Sequence, residues 1–334
     1  MELKIKNAIL HSLDNSGASV LSERELDIDS EACQDFIGKH VKKLLGNPAA
    51  KEAVFHTSSE IHAVIRDWIE GAKFFKDACA PIGRRLCDLM EKYPAIPAGD
   101  LLIVSFHLKR ENYLAILKLN YREYFTHQLT NSDAGADNQL VKYSAALPYD
   151  SGKVEEACLI PFDPMLIKVI EKPFELDGEQ KNYFSELFLE CDPALSKKEA
   201  AQILHDVTEE INEKYFDGGV DVPVKIKTAL IGEAEEAEGE IRLENVASKV
   251  FEDNLEIREA YLGLAREAGF RSDIFLGEKY VRQQFGAQKL KAENGVELKF
   301  PASLWNESES IEFVHQPDGS RAILLKNLGK IALK

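Results

Sequence analysis

Three side chains near the end of the chain have the types and spacing of a metal-dependent nuclease site. Glu297 and Lys299 lie two positions apart in the stretch VELKF, and Asp273 lies upstream. Carboxylates at these positions would hold a divalent cation, and the lysine would orient or polarise a water molecule. Apolar residues alternate with the two charged ones, as they do in a strand that has one wet face. The sequence therefore favours solvent-facing side chains here and keeps the nuclease as an alternative.

A second group of side chains suits phosphate binding. The stretch 279–291, KYVRQQFGAQKLK, contains no acid, and glutamines and aromatic residues separate its basic residues. Lysine and arginine contact phosphates, while glutamine and aromatic side chains make adaptable contacts to grooves and bases. The alternative is an ordinary amphipathic segment in which Val281 and Phe285 pack inward. The candidate nucleic-acid contacts in this region are Arg271, Lys279, Arg282, Gln283, Lys289 and Lys291.

Other chemical signatures are weak or absent. A smaller basic pair, Lys109 and Arg110, sits at a predicted hairpin turn and is a further candidate contact. The chain has no GxxxxGK[ST], GxGxxG, HExxH or GxSxG pattern. Its five cysteines form no CxxC pair, so neither a zinc site nor a disulfide framework is expected. We predict no catalytic residue, no metal site and no cofactor.

The net charge of −16 is unevenly distributed along the chain. Residues 1–130 carry 17 basic against 18 acidic side chains, residues 131–270 carry 14 against 31, and residues 271–334 carry 10 against 8. Fields from exposed charges decay over about 8 Å at physiological salt. A basic surface near the C-terminus can therefore bind a polyanion despite the acidic middle of the chain.

The elements that must position these side chains follow from apolar periodicity. Near-continuous apolarity at 101–108 and 113–120 indicates a hairpin buried on both faces. Pro81 and Gly83 should kink or break the helix that contains them. The polar residues 130–139 are expected to form a surface loop. Before residue 172 we predict strands at 4–11, 20–26, 140–147, 156–162 and 165–170, and helices at 31–45, 58–71 and 74–92.

The second half reads as helices followed by strands. The stretch 231–240, IGEAEEAEGE, is expected to be a solvated linker or helix end. Alternatively it docks a basic partner or competes with DNA within the molecule. Residues 243–268 have the lengths of a helix-turn-helix, but the second helix is net acidic and suits phosphates poorly. Helices are predicted at 195–216 and 254–270, and strands at 296–300, 311–315 and 321–326, with QPDGS as the last hairpin turn.

These patterns predict an α+β protein with two domains. Residues 1–175 would form a mixed helix and strand domain around a central antiparallel hairpin. Residues 176–334 would be mostly helical and end in a small antiparallel sheet. The boundary is placed in KPFELDGEQ (172–180), where proline, glycine and charge cluster. The sequence shows no signal peptide and no apolar run of membrane-spanning length, so we expect a cytoplasmic protein that does not contact membrane.

The order of the segments resembles the bacterial nucleoid-associated protein family (NdpA-like, YejK-like). The likeness covers nearly the whole chain, and the sequence departs from the family pattern at 130–139 and around 231–240. The stretches that carry it are IKNAILHSL, KYPAIPAGDLLIVSFHL followed by YLAILKLN, YLGLAREAGF, and VELKFPASLWNESESIEFVHQPDGSRAILLKNL.

This resemblance implies association with the bacterial nucleoid through double-stranded DNA, with little sequence preference and without catalysis. It implies no particular contact residues. Two alternatives remain beside it. One is the metal-dependent nuclease, and the other is an interaction module tethered to the nucleoid through protein partners, which could dock on the acidic middle segment. A homodimer is also left open.

Overall fold

The computed structural model of the protein has an α+β fold, as the sequence predicts. The chain divides into two compact units, Met1–Ser196 and Lys197–Lys334. None of the described helices combines the length and the apolar composition that a membrane span requires. The described residues are 3–15, 17, 19–132, 135–148, 153–252, 254–270, 273–291, 295–301, 311–315, 321–327 and 329–330.

The first unit is built on a seven-stranded antiparallel sheet with helices on both faces. A π-helix, Phe184–Leu189, precedes its last strand. The elements of this unit are β1 (Leu3–Leu13), α1 (Glu31–Leu44), β2 (Lys51–Phe55), α2 (Glu60–Ile69), α3 (Phe75–Lys92), β3 (Gly99–Leu108), β4 (Glu111–Asn120), β5 (Arg122–Ser132), β6 (Gly135–Ala146), β7 (Glu156–Pro161), β8 (Ile167–Ile170), β9 (Phe174–Leu176), β10 (Glu179–Lys181) and β11 (Cys191–Pro193).

The sheet has the strand order β1-β3-β4-β7-β8-β2-β11, and the predicted hairpin β3–β4 lies near one end of it. Ile103 of β3 belongs to the core that α2, α3 and the π-helix cover. Its neighbours Leu102 and Val104 belong to the core that α1 covers. The predicted burial of this hairpin on both faces is therefore confirmed.

Helix α3 runs unbroken through Pro81, so the predicted break is absent. Proline removes one backbone hydrogen bond, but apolar side chains on either side of it, such as Cys79 and Ile82, are buried in the core and hold the helix together. A Cβ at Gly83 would lie 2.7 Å from Cδ2 of His11 on β1. Glycine at this position therefore serves close packing of α3 on the sheet.

Residues 20–26 do not form the predicted strand, apart from a single bridge between Val20 and Ser12. The chain follows β1 through other hydrogen bonds. The backbone N–H of Ser22 donates to Nδ1 of His11 at 3.0 Å, and the hydroxyl of Ser22 donates to the carbonyl of Leu10. The side chains of His11 and Ser22 thus make hydrogen bonds in place of the backbone bonds of a regular strand pair.

The predicted surface loop at 130–139 is wrong. Its described residues belong to β5 and β6, which pair as one long antiparallel hairpin. The sequence analysis missed β5 because its polar residues do not alternate regularly with apolar ones. Propensity and alternation detect strands that rest on a core, and this hairpin exposes most of its side chains to solvent.

The predicted boundary segment at 172–180 contains the short hairpin β9–β10. Asp177 and Gly178 both have positive φ, which is typical of a two-residue hairpin turn. Leu176 is buried in the core of the first unit. The division into 1–175 and 176–334 stays a prediction that limited proteolysis can test.

The second unit contains helices packed on one another, followed by strands. The predicted helices at 195–216 and 254–270 and the three late strands are confirmed, within a few residues at their ends. Among the described residues the strands pair as two-stranded ribbons, and the turn QPDGS (316–320) lies outside these residues. The elements are α4 (Lys197–Phe216), α5 (Asp221–Glu236), β12 (Glu240–Ile241), α6 (Leu243–Val250), α7 (Leu255–Glu267), β13 (Ile274–Phe275), α8 (Glu278–Phe285), β14 (Ala287–Lys291), β15 (Glu297–Pro301), β16 (Ile311–His315) and β17 (Arg321–Leu325).

Candidate nucleic-acid interface

Helix α8 carries the first half of the predicted basic segment. Val281 and Phe285 are buried, and the Phe285 ring packs 4.6 Å from the ring of His205 on α4. Lys279, Arg282 and Gln283 are exposed. They have the i, i+3, i+4 spacing of one helix face. The predicted inward packing of Val281 and Phe285 is therefore confirmed. The polar residues face solvent, and their contact with phosphates stays a prediction.

One cation of this face is already paired. Arg282 forms a salt bridge with Glu235 of α5, with 2.6 Å between Nη2 and Oε1. Both side chains are exposed, so the pair is solvated and weak, at about 0–1 kcal/mol. DNA would compete with a carboxylate for Arg282.

The acidic stretch 231–240 is mainly the end of α5 rather than a linker. Glu233 is only 2% exposed and accepts a hydrogen bond from Asn245 of α6 at 2.8 Å. Lys249 of α6 contacts both Glu233 and Glu236, at 3.4 and 2.6 Å. These glutamates connect α5 to α6, so part of the acidity stabilises helix packing.

The second half of the basic segment is an antiparallel ribbon, β14–β15. Lys289 stands directly opposite Lys299, and Lys291 stands opposite Glu297. Because side chains alternate along a strand, Lys289, Lys299 and Glu297 share one face of the ribbon. Lys289 and Lys299 are exposed, and neither forms a salt bridge within the described residues. The side chain of Lys291 lies outside the described part.

Like charges that face each other across a strand pair are destabilising. The cross-strand lysine pair, Lys289 with Lys299, is therefore unfavourable by itself and becomes favourable when an anion lies between the two ammonium groups. Lys279 of α8 is a further exposed cation without a salt bridge among the described residues. The arrangement is suited to a polyanion.

Comparison with known proteins identifies the family of the chain. The family model of the nucleoid-associated protein YejK matches residues 9–331, which include most of both units. The chain belongs to the nucleoid-associated protein YejK family. No curated protein shows a significant match to the sequence. Membership of the YejK family confirms the resemblance and gives the protein a nucleoid-associated role.

Within this YejK-family fold, Lys299 is the candidate contact residue that the sequence missed. Its alternation with apolar neighbours suggested only a wet strand face, and its spacing from Glu297 suggested a nuclease. The electrostatic environment of Lys299 depends on the residue opposite it, which is Lys289. The sequence of one strand does not show which strand pairs with it. Among the described residues, no group of three His, Cys, Asp or Glu side chains could hold a metal ion, so the nuclease alternative lacks its carboxylate cluster there.

The remaining candidates lie elsewhere. Lys109 and Arg110 form the turn between β3 and β4 of the first unit, and both are exposed. Lys109 has a φ of 59°, a left-handed conformation that is uncommon for a residue with a side chain. They belong to the first unit, and the ribbon belongs to the second. Arg271 lies outside the described residues.

Proposed function

We propose that this YejK-family protein binds double-stranded DNA directly, largely without sequence preference and without catalysis. The observation that supports the proposal is the cross-strand lysine pair, Lys289 with Lys299. Lys279 of α8, ten residues earlier in the sequence, is proposed as a further phosphate contact. Lysine ammonium groups act as point charges on phosphates, and phosphate contacts carry no sequence information. Binding through such contacts would hold the protein on the nucleoid in the cytoplasm at many sites.

The shape of the ribbon supports the proposal. The major groove of B-DNA, about 12 Å wide, admits a two-stranded β-ribbon. One face of β14–β15 presents Lys289 and Lys299, while Leu298 and Phe300 point to the other face and are half-buried. The ribbon therefore has one side for packing and one side for a ligand.

The test is the double variant Lys289→Ala/Lys299→Ala in the full chain. Each phosphate contact contributes about 0.9 units to the slope of log Kd against log salt. We expect weaker binding to every duplex sequence and a slope that falls by up to about 1.8 units. Fluorescence anisotropy with two unrelated duplexes, measured across a salt series, gives both quantities.

A matched control is Lys4→Ala/Lys6→Ala. These two lysines are exposed on β1 of the first unit. The control variant therefore also loses two positive charges, but at positions far from the ribbon in the sequence. Affinity and slope should match those of the wild type. Unchanged binding in the ribbon variant would overturn the proposed surface. Loss on Lys109→Ala/Arg110→Ala instead would place the contacts at the β3–β4 turn.

The same measurement separates direct binding from tethering. If the purified wild-type protein fails to bind bare DNA even at low salt, association with the nucleoid must run through protein partners. Cleavage of the duplex in the presence of Mg²⁺ would contradict the non-enzymatic proposal.

A further inference from the structure

An aromatic side chain of the second unit lies open to solvent just before helix α8. Phe275 of β13 is 60% exposed, whereas its neighbour Leu276 is completely buried. A phenylalanine ring has no polar atom that gains from contact with water, and it is stabilised when it is covered. Exposed apolar residues are ordinary when they are isolated. The groups around this ring distinguish it from such a residue.

A lysine ammonium group lies over the ring of Phe275. The Nζ atom of Lys197, at the start of α4, is 4.5 Å from the ring centroid, and it donates a hydrogen bond to the carbonyl of Leu276 at 2.8 Å. The hydrogen bond fixes the ammonium group, and the attraction between the cation and the ring orients the aromatic side chain. Groups that are held in place before a ligand arrives lose little entropy when they bind it.

Two glycines beside the ring bring the backbone close to it. A Cβ at Gly239 would lie 2.7 Å from Cα of Gly277 and 2.9 Å from Cε2 of Phe275, and a Cβ at Gly277 would lie 3.8 Å from Cε1 of the same ring. The carbonyl of Gly239 accepts hydrogen bonds from the N–H groups of Leu276 and Gly277, at 3.0 and 2.9 Å. The ring therefore stands on a backbone that is fixed by hydrogen bonds, with no side chain from either glycine beside it.

An exposed aromatic ring with a cation beside it suits an unpaired nucleobase. Every base has a π-face that stacks on an aromatic side chain, and basic side chains nearby contact the phosphates of the same strand. A duplex presents only the edges of its bases in the grooves, and these are recognised by hydrogen bonds. Phe275 has no donor or acceptor for such a contact. Its ring therefore matches the face of a base, which is accessible when the base is unpaired.

Charges of both signs lie near the ring. Lys198 and Lys279 are exposed and close to the site in the sequence, but so are Asp273 and Glu278. Glu240, which stands opposite Phe275 in the β12–β13 pair, is engaged by Arg242 at 2.8 Å. The acidic side chains weaken the attraction for phosphates, so stacking must supply most of the affinity at this site. Its contribution should therefore hardly depend on salt, unlike that of the cross-strand lysine pair.

We propose that Phe275 and Lys197 form a stacking site for an unpaired base of single-stranded DNA. The base lies against the ring of Phe275, and the ammonium group of Lys197 is close enough to attract the phosphate beside that base. The ligand differs from the duplex of the proposed function, and the site uses neither lysine of the ribbon. With such a site, a nucleoid-associated protein can hold a DNA strand wherever the duplex is opened.

The first test is Phe275→Leu in the full chain, titrated against an oligothymidylate of about 16 nucleotides and against a duplex of the same length. Anisotropy across a salt series should show about fivefold or weaker binding to the single strand, the lower end of what stacking of one base contributes. The salt slope and the affinity for the duplex should not change. Phe275→Tyr keeps an aromatic face and should bind like the wild type, and so should Leu255→Ala, which removes a 62% exposed apolar side chain of the same unit.

The outcomes separate this site from the proposed function. Unchanged binding of the single strand by Phe275→Leu, or no binding of it by the wild type, would overturn the stacking site. An equal loss on the duplex would also overturn it, because the ring would then insert between paired bases. A wild type that binds the single strand through Phe275 but not the duplex would support this site and contradict the proposed function.

A fluorescence test detects the stacking itself. Phe275→Trp places an indole at the position of the ring, and a base stacked on an indole quenches its fluorescence. The chain has two natural tryptophans, so the signal is the difference from the wild type in the same titration. Oligothymidylate should quench the added fluorescence and the duplex should not, while Leu255→Trp should respond to neither. No quenching in Phe275→Trp, or equal quenching in both variants, would contradict a stacking site at Phe275.

Discussion

At the scale of single residues, Arg282 shows how a neighbouring carboxylate governs a cation on the proposed DNA-binding face. The side chain is exposed and suitably placed on α8, but Glu235 holds it at 2.6 Å. The glutamates of 231–240 that look alike in sequence are not equivalent in the fold. Glu233 stabilises helix packing, Glu235 neutralises Arg282, and Glu238 is exposed with no salt bridge among the described residues.

We predict that Glu235→Gln tightens DNA binding because it releases Arg282. The gain should be modest at low salt and nearly absent at high salt, since salt screens exposed charges. Glu238→Gln is the matched control, because it removes the same charge without releasing a cation. Anisotropy titrations of the two variants side by side test this. Equal tightening by both would mean that overall charge, rather than the salt bridge, limits binding.

The sequence predicted this site in part. An acid-free basic run with inward-pointing Val281 and Phe285 was sufficient to find the exposed cations of α8. It did not reveal the salt bridge of Arg282 or the position of Lys299 opposite Lys289. Both depend on contacts between separate elements, and a local pattern does not say which elements meet.

At the scale of elements, α3 and β1 pack closely because a glycine lies between them. The ring of His11 accepts a hydrogen bond from the N–H of Ser22 and lies 3.1 Å from the carbonyl of Cys79. A ring held from two sides cannot move away easily. Burial lowers the pKa of His11, so the neutral form that this geometry requires is favoured.

Gly83→Ala should therefore destabilise the first unit by about 1–3 kcal/mol, the usual cost of overpacking a core. The added Cβ would meet Cδ2 of His11 at 2.7 Å and Cδ2 of Leu21 at 2.9 Å. Gly38→Ala in α1 is the control, since beyond the adjacent backbone of its own helix nothing lies within 4 Å of the added Cβ. That change should stabilise the protein by about 0.5–1 kcal/mol, because alanine favours a helix over glycine. Urea unfolding followed by circular dichroism measures both, and similar effects at the two sites would refute the packing argument.

Elements that rest on a core were predictable, whereas the exposed β5–β6 hairpin was predicted only in part: a strand was expected at 140–147 and none at β5. The strands β3 and β4 and the helices α1 and α2 carry strong apolar periodicity that burial requires. The hairpin of β5 and β6 carries little, because its regularity comes from backbone hydrogen bonds rather than from a buried face. The glycine and charges of 172–180 suggested a linker, although Asp-Gly is also the turn signal that β9–β10 uses.

At the scale of the whole molecule, the prediction concerns where the chain divides. Trypsin should spare Lys172 and Lys181, because the hairpin beside them is fixed by the buried Leu176. It should cut first at exposed loops or near Lys197 and Lys198, where the two compact units divide. Mass spectrometry of stable fragments distinguishes the two boundaries. Fragments ending at 172 or 181 would support the division into 1–175 and 176–334 instead.

The facing lysines of the ribbon have a consequence for the folded state itself. Holding Lys289 against Lys299 costs stability when nothing lies between them. Any ligand that binds the folded state and not the unfolded chain raises stability by mass action. If the proposed function is right, DNA binding stabilises the second unit, which is then less stable when the protein is not bound to the nucleoid. By thermodynamic linkage, the fraction of molecules with a folded ribbon would rise with the concentration of accessible DNA.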